Sequence, residues 1–61
     1  MTPQQKAELE RLTDAFKASG ADLVTSRLVA PHSYASPLEV VAAWNGHYSR
    51  SVLVLVDGEV L

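Results

Sequence analysis

Residues 36–46, SPLEVVAAWNG, can be read two ways, and the choice decides the fold. Ser36-Pro37-Leu38-Glu39 has the form of a helix start, with a capping serine, proline at the first helical position and glutamate three residues after the cap. Gly46 would then end a short helix over 37–45, and the chain would run α-β-α-β-β with a parallel pair. Against this, Asn45-Gly46 between apolar runs is a strong signal for a tight hairpin. Val40 and Val41 favour extended backbone, and a helix of about nine residues has little stability of its own. The stretch is therefore read as a strand leading into a turn.

Working outward, Ser51-Val52-Leu53-Val54-Leu55-Val56 is the clearest strand, and Asp57-Gly58 after it is a second turn signal. Glu59-Val60-Leu61 is expected to fold back as a short edge strand. Toward the N-terminus, DLVTSRLVA reads as a strand at about Leu23–Ala30, although Asp22 is also a possible helix cap. Prolines close both ends of the loop PHSYASP.

The first segment is a helix over roughly Pro3–Ser19. Thr2 and Gln5 form a capping box, and Leu9, Leu12 and Phe16 make one apolar stripe with Ala15 beside it. Ser19-Gly20 ends it. The expected fold is α+β: an N-terminal amphipathic helix packed on a small antiparallel sheet, α-β-β-β plus a short terminal strand, in one domain spanning residues 1–61.

Five successive apolar residues at 52–56 put apolar surface on both faces of their strand, because side chains alternate. One helix covers one face of a small sheet. The spare face is assigned to Val52, Val54 and Val56, and a second copy or another protein is expected to cover it.

The composition narrows the function. Sixty-one residues at 48% hydrophobic and 20% charged describe a globular chain, not a disordered one. A chain this short buries only about 60% of its unfolded surface, and small domains usually gain stability from disulfides, metal or association. With no cysteine, neither disulfides nor thiolate metal sites are available. The net charge of −2 is spread without a basic patch. The polar start MTPQQKAELE resembles neither a signal peptide nor a membrane span, so a cytoplasmic location is expected.

If Asn45-Gly46 is a two-residue turn, Trp44 lies opposite His47, Ala43 opposite Tyr48 and Val41 opposite Arg50. Trp44 and His47 then share one face, with Tyr48 and Arg50 on the other. Trp44 is read as core, while His47, Tyr48 and Arg50 are the exposed partner-binding candidates, joined by Val52, Val54 and Val56. His32 and His47 lack metal-ligand spacing, so they are read as loop histidines. The serines sit in no nucleophile motif, and the single glycines at 20, 46 and 58 form no phosphate-cradling loop. No catalytic, cofactor or metal residue is assigned.

These readings lead to a small non-enzymatic protein-binding protein, a regulatory or inhibitory accessory acting as a homodimer. Two alternatives stand beside it. One is a nucleic-acid module stacking bases on Trp44 and Tyr48 with Arg27 and Arg50 nearby; the other is a structural subunit of a larger assembly.

Overall fold

The helix forms where its start signals place it. Thr2 stays extended, its hydroxyl accepts from the Gln5 N–H at 3.1 Å, and the Gln5 side chain accepts from the Thr2 N–H at 2.9 Å. The computed structural model describes residues 1–30 and 36–61 and gives helix α1 at Pro3–Ala18, followed by strands β1 (Leu23–Leu28), β2 (Leu38–Trp44) and β3 (Tyr48–Val54). The strands form one antiparallel sheet in the order β1-β2-β3, and α1 packs across one of its faces. This is the α+β arrangement expected from the sequence.

Residues 38–44 are a strand, so the alternative with a second helix at 37–45 is overturned. Leu38, Val40 and Ala42 alternate into the core at 1%, 0% and 0% exposure, a period of two that a helix does not produce. No helix follows Ser36; it is buried, and its hydroxyl donates to the Ala30 carbonyl. Residues 31–35, His32 among them, for which the sequence reading expects a loop, lie outside the described residues.

Leu12 and Phe16 of α1 close on Leu38, Val40, Ala42 and Val54 of the sheet. Full burial of such side chains stabilises by about 1.5–3 kcal/mol each. Trp44 packs against this cluster, as the core reading expects. Its ring meets Phe16 edge-on at 5.9 Å between centroids, and its indole N–H donates to the Ser19 carbonyl at 3.1 Å. The indole thus satisfies one of the carbonyls that the helix C-terminus leaves open.

The expected terminal strand contracts to one bridge, Val54 with Val60, flanked by hydrogen bonds from Leu55 N to Glu59 O and from Leu61 N to Leu53 O. Gly58 makes this turn possible. It sits at φ +91°, and a Cβ there would stand 3.3 Å from the Gln4 Cβ. The turn is drawn against the start of α1, where the Thr2 hydroxyl donates to the Val56 carbonyl at 2.7 Å.

Candidate functional site

The register of the second hairpin decides which side chains are available to a partner. Asn45 and Gly46 both take positive φ, 53° and 69°, and His47 N donates to Trp44 O at 3.1 Å, as in a two-residue turn. Strand pairing nevertheless resumes only at Trp44 with Tyr48, so His47 belongs to a three-residue loop. The expected pairing of Trp44 with His47 is therefore corrected by one residue. Because the side-chain period is two, that shift moves every residue of β3 to the other face.

Arg50, Val52 and Val54 change face as a result, and Val56 lies beyond the strand. Val54 pairs with Leu38 and is fully buried beneath α1. Val52 pairs with Val40 and packs, half-buried, against the same core. Val56 lies in the C-terminal turn, half-buried, with its carbonyl held by Thr2. These valines do not form the open patch. Arg50 pairs with Ala42, on the helix side of the sheet rather than opposite Trp44, and is exposed. His47 is exposed in the loop, and the Tyr48 Cα stands opposite Trp44.

The face turned away from α1 carries other residues. Register places Leu23, Val41, Ala43 and Leu53 on it, and Leu61 joins them beside Leu53. Leu23 is 57% exposed and Leu61 64%. Among these apolar groups the Arg27 Nε meets the Glu39 Oε1 at 2.8 Å, a directly opposed cross-strand pair. A depression of about 190 Å³ lies around this pair, lined by Thr25, Ser26, Arg27, Glu39 and Val41. It is smaller than the roughly 300–1,000 Å³ typical of sites that enclose a small molecule. Sequence reading missed this face, because a two-residue turn assigns Leu53 to the core.

The sheet also has one strand with an open edge. Val29 N donates to Pro37 O, which fixes the odd-numbered residues of β1 as those bonded to β2. The N–H and C=O groups of Val24, Ser26 and Leu28 therefore point away from the sheet. Among the described residues no strand pairs with them.

The charged groups are modestly placed. Arg11 Nη2 lies 2.6 Å from the Glu8 carboxylate on the helix surface, and that hydrogen bond, with the charge behind it, raises the guanidinium pKa. Among the described residues no three of His, Cys, Asp and Glu gather as metal ligands would, and no helix is long and apolar enough to cross a membrane.

Among the described residues the fold is thus one helix over one face of an antiparallel sheet, with the opposite face and one edge open. No protein-family model matches the chain, and neither curated proteins nor solved structures give a match.

Proposed function

We propose that the chain is a small non-enzymatic protein-binding accessory protein, regulatory or inhibitory in effect, that acts as a homodimer. The observation that carries this is the uncovered sheet face, where Leu23 and Leu61 stand more than half exposed beside Val41, Ala43 and Leu53. Exposed apolar surface of this kind is characteristic of surfaces that other proteins cover. A binder of this sort acts by occupying a surface, which requires no chemistry of its own.

The nucleic-acid alternative has weaker support. Arg27 is engaged with Glu39 and Arg11 with Glu8, so two of the five basic side chains are already paired with carboxylates. Trp44 is held against Phe16 and Ser19 and offers less of its ring for stacking.

Light scattering on a sizing column, over a hundredfold range of concentration, tests the proposal. The expected species has about twice the 6.6 kDa chain mass and persists on dilution. A monomer throughout the range would remove the homodimer. Anisotropy of a labelled oligonucleotide at low salt covers the alternative, for which binding that falls steeply with added salt is the signature.

A further inference from the structure

We infer that β1 is the dimer seam: two copies pair antiparallel through their β1 edges, in the register that sets Ser26 opposite Ser26 of the second copy. The inference rests on the homodimer proposed above and names its contact, which continues the sheet from one copy into the next and leaves the open apolar face of each to the protein that the accessory binds. Three observations support it.

The first is hydrogen bonding. Val24, Ser26 and Leu28 point their backbone groups outward, and only a register that opposes even-numbered residues to even-numbered ones satisfies both strands. Centring on Ser26 does this, pairing Val24 with the second copy's Leu28 and Ser26 with its own equivalent. The second is side-chain matching. That register opposes apolar Val24 to Leu28 on the helix side and exposed Leu23 to Val29 on the other, with Thr25 facing Arg27. Sliding one way brings Arg27 against Arg27; sliding the other sets Val24 against Ser26 and Leu28 against Asp22. Like charges directly opposed are unfavourable, and so is an apolar side chain matched to a carboxylate.

The third is the other edge. Beyond Ser51, β3 is already occupied, since Leu53 and Leu55 bond to Leu61 and Glu59. Its remaining free groups, at Ser49 and Ser51, pair with a second copy only by opposing Arg50 to Arg50. The β1 edge is thus the self-complementary one, and Ser26 at its centre is exposed, leaving room over the two-fold axis.

The chain has no cysteine, so single substitutions report cleanly. In a hydrogen-bonded antiparallel pair the Cα atoms stand about 5.5 Å apart, within the range that a disulfide bridges. Under mild oxidation Ser26→Cys should convert to covalent dimer, while Thr25→Cys and Ser51→Cys remain largely single chains. Ser26→Asp, which opposes two carboxylates at the axis, should run at monomer mass with an unchanged circular dichroism spectrum. If the unmodified protein is dimeric but Ser51→Cys cross-links in preference, or Ser26→Asp stays dimeric, the seam is wrong and the homodimer stands. If the unmodified protein is monomeric at every concentration, the homodimer itself fails and takes the seam with it.

Discussion

A glutamine with 1% exposure must set its amide against protein groups or lose the hydrogen bonds that water supplied. Gln5 uses both ends. Its Oε1 accepts from Thr2 N, and its Nε2 donates to Ser36 O at 2.9 Å and Val54 O at 3.1 Å. One side chain therefore caps α1 and bolts it to the entry of β2 and the end of β3. The capping role was legible in Thr2-x-x-Gln5. The bolt had a fainter signal: Gln5 continues the Leu9, Leu12, Phe16 stripe one turn toward the N-terminus. Replacing Gln5 by leucine removes both of these buried hydrogen bonds and should cost about 1–3 kcal/mol in denaturant unfolding, with little dependence on pH. Gln5→Glu behaves differently. Its ionised carboxylate faces the two carbonyls without a proton to donate, and burial disfavours the charge, so the folded-state pKa rises above the unfolded value of about 4.3. The stability held by the protonated form is complete below that value and lost as pH rises through the folded pKa. Melts of Gln5→Glu should show higher stability at pH 4 than at pH 7, relative to Gln5→Leu. Parallel profiles would mean that water reaches the site.

At the level of elements, α1 was readable from end to end because its cap, its stripe and its stop are local. The register of β2 with β3 was not. Both candidate registers present an apolar set to the helix, either Val52 and Val54 or Leu53 and Leu55, so the non-alternating run does not discriminate between them. Asn45 and Gly46 adopt the backbone of a two-residue turn, yet His47 joins the loop and Tyr48 takes the pairing position. The strand at 38–44 had conflicting signals for a related reason: its capping serine serves the tertiary contact to Ala30, which no local pattern encodes. Lysine substitutions on β3 read the register directly. Val54→Lys buries an unpaired charge under α1 and should destabilise by more than about 3 kcal/mol. Leu53→Lys, on the open face, can keep its stem on the sheet and its ammonium in water, and should cost about 1 kcal/mol or less. The reverse ranking in urea titrations would restore the two-residue loop.

For the whole molecule, the balance is set by the described residues supplying one helix to a two-faced sheet. The helix side is closed by Leu12, Phe16 and Trp44, while Leu23 and Leu61 on the far side remain open to solvent. A 61-residue chain without disulfides has few other sources of stability. Association couples folding to concentration, because the unfolded chains do not pair. A tenfold rise in concentration is worth about 1.4 kcal/mol per dimer, or about 0.7 kcal/mol per chain. For a domain near this size, 1 kcal/mol moves the melting midpoint by roughly 4–8 °C. Thermal unfolding followed by circular dichroism should therefore shift upward by roughly 3–6 °C for each tenfold increase in protein. Ser26→Asp, with its seam blocked, should melt at one temperature across the series and below the unmodified protein. Coincident curves for the unmodified chain over a hundredfold range would mean that the helix-covered core alone sustains the fold and that β1 pairs with no second copy.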